Sequence, residues 1–122
     1  MSWYKTKLDP ADVAWSKYIR TKAGWRCARC GREASGRGLH CAHFHSRRKE
    51  SVRYDEQNTD ALCANCHKEF TGNYSEHKKW KLSQLGQSQY DLLELRANTI
   101  VKKDRKMEVI RINEMLKELN AT

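Results

Sequence analysis

Leu39-His-Cys-Ala-His-Phe-His-Ser-Arg-Arg48 lies between two Cys-x-x-Cys pairs, Cys27/Cys30 and Cys63/Cys66, and the second pair runs directly into His67. Each pair offers two thiolates from one tight turn, so together they can close a tetrahedral all-cysteine site around Zn²⁺ and tie together backbone distant in sequence. Four thiolates leave such an ion no open position, so a metal that does chemistry has to be a second ion. Redox-active dithiols are the alternative, but no thioredoxin-like βαβ pattern surrounds either pair. The enclosed residues are imidazoles, the amide of Asn58 and several arginines. They suit water activation and phosphate binding, the chemistry of a small metal-dependent nuclease.

Composition agrees with this reading. At 122 residues and 14.3 kDa the chain has room for one domain with a modest core, for which a structural metal is a common remedy. Charged residues make up 32% and mean hydropathy is −0.93, which predicts a soluble protein with a large wetted surface. No apolar run approaches the roughly 18 residues that cross a bilayer, which argues against a membrane partner. Met1 to Leu8 lacks the apolar region of a secretory signal, so a reducing cytoplasm is expected. Four paired cysteines plus Cys41 fit metal ligation better than a disulfide framework.

The net charge is +9, which favours polyanionic partners and DNA above all. Eight basic residues (Arg26, Arg29, Arg32, Arg37, Arg47, Arg48, Lys49, Arg53) stand between Arg26 and Arg53 against only Glu33 and Glu50. Arg47, Arg48, Lys49 and Arg53 are the candidates for the phosphate backbone, because guanidinium binds phosphate bidentately. The competing use is ion pairing within the chain, to Glu50, Asp55 or Glu56.

The pattern predicts a single α+β domain: an N-terminal helix within residues 1–24, a zinc-bound core over 25–70 and a helical extension over 71–122. Asp9 and Pro10 open the first helix, Asp12 completes a capping-box-like pattern, and Ala11, Trp15, Tyr18, Ile19 and Lys22 share a face. Strands are expected at Leu39 to Phe44 and Asp60 to Cys63, with a structureless charged loop over Ser46 to Asn58. Further helices are expected at Ala64 to Phe70, Ser75 to Leu85, Ser88 to Ala97 with a capping box at Ser88, and Asp104 to Leu119. Val109, Ile112, Leu116 and Leu119 form the apolar stripe of the last, which either completes the core or presents a dimer face. His77, on a charged helix, reads as solvated.

Leu39-His-Cys-Ala-His43, Asn58 and Leu62-Cys-Ala-Asn-Cys-His67 resemble the HNH nuclease motif, whose fold is the ββα-metal core. Trp15-Ser-Lys-Tyr-Ile-Arg20 ahead of the first knuckle, the run from His43 to Arg48, Thr71-Gly-Asn73 and Trp80 are similar to phage NinG/Rap recombination endonucleases over roughly residues 10–85. The resemblance implies metal-assisted hydrolysis of DNA phosphodiesters. His43 would be the general base, His67 a ligand of a catalytic Mg²⁺ or Mn²⁺, and Asn58 the brace of the loop between the strands. It implies DNA, duplex or branched, as the partner, leaves room for a homodimer and for phage recombination or packaging proteins, and places the chain in a bacterial host cytoplasm.

One position departs from the motif. Many HNH nucleases carry Asp or His just before the base, and here that place is Ala42. His45, His40 and Cys41 are the candidate replacements. His45 is two residues from His43 and would share its face of a strand, whereas His40 is three away and would point elsewhere. Ala42 also keeps open a non-catalytic zinc-ribbon DNA-binding or adaptor protein. A packaging-associated nicking nuclease is a further alternative.

Overall fold

The computed structural model describes residues 8–121, with the side chain of Arg37 outside it. Helix α1 (Pro10–Lys22) starts where the sequence places it, with the Asp9 carboxylate accepting from the Ala11 N–H at 2.8 Å and Pro10 in the first turn. Ala11, Trp15, Tyr18 and Ile19 are buried, whereas Lys22, expected on the same face, is exposed and pairs with Glu56. Asp12 forms no capping box. Its carboxylate accepts from Arg53 and from the Tyr54 hydroxyl, because a partly buried anion gains more from a cation than from the Asp9 backbone N–H that a capping box would offer it.

Strands β1 (Leu39–His43) and β2 (Thr59–Cys63) pair antiparallel, in register from Leu39 opposite Cys63 to His43 opposite Thr59. Side-chain alternation then sorts the hairpin into two faces. Leu39, Cys41, His43 and Thr59 turn to α1, where Trp15 Nε1 donates to Thr59 Oγ1 at 3.1 Å. His40, Ala42, Asp60 and Leu62 turn to α3 (Ala64–Thr71) and α4 (Tyr74–Leu85). Helix α6 (Arg105–Ala121) lies on α1 and buries Ile112 and Leu116 in the same core as Trp15, Leu39, Leu62 and Phe70. Its apolar stripe therefore completes the core within the chain.

The expected loop over Ser46 to Asn58 is ordered structure. It contains a short helix α2 (Glu50–Arg53) and a 3₁₀ turn (Glu56–Asn58), with the Asp55 carboxylate capping the turn on the Gln57 N–H. Val52 and Tyr54 are buried, and Val52 joins Phe44, Tyr90, Leu93 and Ala97 in a second small core beneath α5 (Gln87–Ala97). Two buried hydrophobic side chains in so short a charged segment give no periodicity to read. The amide of Asn58, fully buried, fastens this segment to the end of β1: Oδ1 accepts from His45 N–H at 2.7 Å, and Nδ2 donates to the carbonyls of His45 (3.1 Å) and Val52 (3.0 Å).

Two further expectations are corrected. Helix α5 begins at Gln87 with Gly86 as its N-cap and no side-chain cap, so Ser88 lies inside the first turn and forms no capping box. The tight reversal from α4, with Gly86 at φ +81, leaves no extended residue for a serine cap. His77 is buried, not solvated: its ring stacks on Phe70 at a centroid distance of 4.4 Å and meets Phe44 edge-on at 4.9 Å. Beside it on α4 lies the buried Lys81, whose ammonium donates to Asp60 Oδ2 at 2.5 Å and to the Gln57 carbonyl at 2.9 Å. A buried ammonium persists only with such partners.

Asn58→Ala removes three hydrogen bonds and leaves buried backbone groups unpaired, an expected loss of about 2–4 kcal/mol in urea unfolding; a loss below about 0.5 kcal/mol, the range of surface substitutions, would contradict the bracing role. His77 makes a second test. Burial, then the Lys81 cation and His67, lower its pKa from 6.5 to about 4. The folded state therefore favours the neutral ring, and its contribution to stability is present above pH 6.5 and lost as pH falls toward 4. His77→Phe keeps the stack without the titration, so it should lose less stability than wild type across that window. Parallel loss in both would refute the assignment.

Candidate metal centre and active site

The two knuckles are built by backbone. Cys27 N–H donates to the Arg32 carbonyl, Gly31 N–H to the Cys27 carbonyl, and Ala28 N–H to the Ala61 carbonyl of β2 at 2.8 Å, which docks the first knuckle on the hairpin. Gly31 turns there at φ +77, a region that disfavours a side chain. In the second knuckle Cys63 ends β2 and caps α3, its sulfur accepting from Cys66 N–H at 3.5 Å. Cys30 N–H makes the same contact with Cys27 Sγ. As a result the four sulfurs of Cys27, Cys30, Cys63 and Cys66 lie within 4.8 Å of one another.

That geometry is compatible with a structural zinc ion. Four thiolates so close repel one another unless a cation lies among them, and the surroundings already favour part of the charge. Burial opposes ionisation of Cys27, but N–H donors from Cys30, Cys63 and Arg29 outweigh it and bring the thiol down to about 6. Cys66 is pushed up to about 12 by burial and by the Cys63 and Cys27 sulfurs. A divalent ion relieves that conflict, and an all-sulfur tetrahedral set suits zinc.

The histidines separate onto the two faces of the hairpin. On the α3 face His40 Nδ1 and His67 Nδ1 approach to 2.8 Å, with the rings near perpendicular at 78°. Two ring nitrogens converging on one point could hold a divalent cation, and imidazole donors favour Mn²⁺ or a softer ion over Mg²⁺. His67 has its pKa lowered by burial and by His40, which keeps it in the neutral form a ligand needs. His45 takes a different course. It lies past the end of β1, and its Nε2 meets Glu94 Oε1 on α5 at 2.9 Å. The structure thus brings His40 to His67, and neither His45 nor Cys41. Cys41 faces α1 and is held as a thiol, pushed up to about 12 by burial.

His43, at the end of β1, faces α1. Its Nε2 lies 3.0 Å from the Arg53 carbonyl of α2. A carbonyl oxygen only accepts, so Nε2 carries the hydrogen and Nδ1 keeps the lone pair. Burial lowers the His43 pKa to about 4 despite that bond, which leaves the ring neutral near pH 7. It lines a cavity of about 340 Å³ together with Asp12, Trp15, Arg20, Cys41 and Arg47.

The four basic residues chosen from sequence divide. Arg53 is committed to the fold: its guanidinium holds Asp12 through Nε at 2.9 Å and Nη2 at 2.5 Å, and reaches Glu50 and the Arg47 carbonyl. That network fixes the carbonyl on which His43 rests. Arg47, Arg48 and Lys49 are exposed, and none makes an ion pair among the described residues. Arg53 takes the competing use, pairing with Glu50, and adds Asp12, a partner not expected from sequence; His40, the candidate replacement placed behind His45, is the one that meets His67. The strand alternation that sets His40 apart from His43 was readable, but which helix covers its face was not.

No membrane-crossing helix exists among the described residues. No curated protein and no solved structure matches the chain. The family model described as bacteriophage lambda NinG protein matches residues 4–121, and the chain therefore belongs to the NinG family.

Proposed function

We propose that this NinG-family chain is an HNH-type endonuclease that hydrolyses DNA phosphodiesters in phage recombination, with structural zinc in the four-cysteine cluster and a catalytic divalent ion at His40 and His67. The observation that carries it is one strand bearing both kinds of histidine. β1 presents His43, oriented by the Arg53 carbonyl, on one face and His40, against His67 of α3, on the other. The two histidines are three residues apart on opposite faces, so on this reading the DNA backbone has to pass the edge of the strand to meet both.

On this reading His43 Nδ1 takes a proton from water as the water oxygen bonds to phosphorus and the bond to the 3′-oxygen breaks in line. His40 and His67 would hold a divalent ion, which would supply Lewis acidity to the phosphodiester. Burial keeps His43 unprotonated before DNA arrives, and the phosphate anion then raises its proton affinity toward the range a base needs. Arg47, in the same cavity, is placed to hold a phosphate oxygen.

Ala42 supports the rival reading, a binding protein that has lost the reaction. It is buried in the register position opposite Asp60, and Asp60 is occupied by Lys81. Cleavage of labelled duplex, single-stranded and four-way-junction DNA with Mn²⁺ or Mg²⁺ separates the two. Wild type should cut only with a divalent ion, and His43→Ala should lose roughly 10²–10⁴-fold in rate while keeping its fold and zinc. His40→Ala and His67→Ala should demand more Mn²⁺, whereas His45→Ala should not. Undiminished cutting by His43→Ala would remove it as the base, and binding without cutting by wild type under either metal would favour the rival.

A further inference from the structure

Helix α2 has a second neighbour besides His43. Its first residues and the segment that joins α5 to α6 enclose a groove of about 350 Å³, lined by Arg48, Lys49 and Ser51 on one side and by Asn98, Thr99 and Lys102 on the other. Arg48, Lys49 and Lys102 make no ion pair among the described residues. Lys103 and Lys106 follow in the sequence and are likewise unpaired.

The carboxylate in this lining is neutralised. Glu50 accepts from Arg105 through Nε at 3.2 Å and Nη2 at 2.8 Å, and from Arg53 at 3.3 Å. The nearby Asp104 carboxylate is turned to the N–H groups of Lys106 and Met107 at the start of α6. The field in the groove is therefore set by its cations. Cations beside the side-chain amide of Asn98 match the oxygens of a sugar-phosphate chain. Ile100, fully exposed, offers an open apolar face that a sugar or base can cover, not the enclosed pocket that anchors a peptide side chain.

We propose that this groove is a DNA-backbone clamp separate from the His43 cavity, gripping the strand beside the cleaved phosphate, with the α5–α6 segment as its outer wall. The proposal rests on the reading of the chain as a DNA-processing protein. It gives the C-terminal extension a binding role in addition to its packing on α1.

The test is the salt dependence of binding to a fluorescein-labelled DNA duplex without added divalent ion. Wild type, Lys49→Gln/Lys102→Gln and the control Lys78→Gln/Lys79→Gln on α4 are compared, with equal melting temperatures confirming intact folds. The groove variant should bind more weakly, and its plot of log K against log salt should be less steep by about two, one per lost phosphate contact. The control should keep the wild-type slope. Wild-type slope and affinity in the groove variant, with wild type binding DNA, would overturn the clamp and leave the nuclease reading standing. Absence of binding by wild type would overturn both.

Discussion

The convergence of four cysteine sulfurs within 4.8 Å is the constraint on which the rest depends. Two come from a knuckle after α1, and two from the junction of β2 with α3. Bringing them together fixes how α1, the hairpin and α3 meet. The knuckle carrying Cys27 and Cys30 is further bonded to β2 through Ala28 and Ala61. A hairpin of two five-residue strands is marginal alone, and here it is held by the cluster at one end and by the Asn58 amide at the other. The histidines lie between those two fastenings.

Buried and half-buried charges do the next share of positioning. Arg53 and Arg105 join α1, α2 and α6 through Asp9, Asp12 and Glu50. Burying these ions costs desolvation, and replacement by apolar side chains could match their stability. What an apolar core would not do is place the Arg53 carbonyl 3.0 Å from His43 Nε2 and so select its tautomer. On the far face of the hairpin, Lys81 occupies Asp60 and leaves the two imidazoles of His40 and His67 as the converging donors.

Much of this was legible because it rests on local patterns. The cysteine pairs, the cap at Asp9, the aromatic stripe of α1 and both strands follow from spacing and residue type. The misses share a cause: they depend on which surface folds over which segment. His77 sits among charged neighbours in sequence, and only the packing of α4 on Phe44 and Phe70 buries it. The segment from Ser46 to Asn58 looks like solvated loop because its order comes from Val52, Tyr54 and Asn58 reaching distant partners. Strand alternation puts His45 on the face of His43, yet β1 ends at His43 and the chain turns His45 toward α5.

Zinc K-edge X-ray absorption on the purified protein tests most directly whether the four-cysteine cluster is a closed zinc site on which the histidines are framed. The expected result is a first shell of four sulfur scatterers at about 2.3 Å with no nitrogen or oxygen, unchanged in His40→Ala and His67→Ala. A first shell containing nitrogen or oxygen, or one altered by those substitutions, would contradict a closed cysteine site, since zinc would then belong to the histidine site or be shared with it.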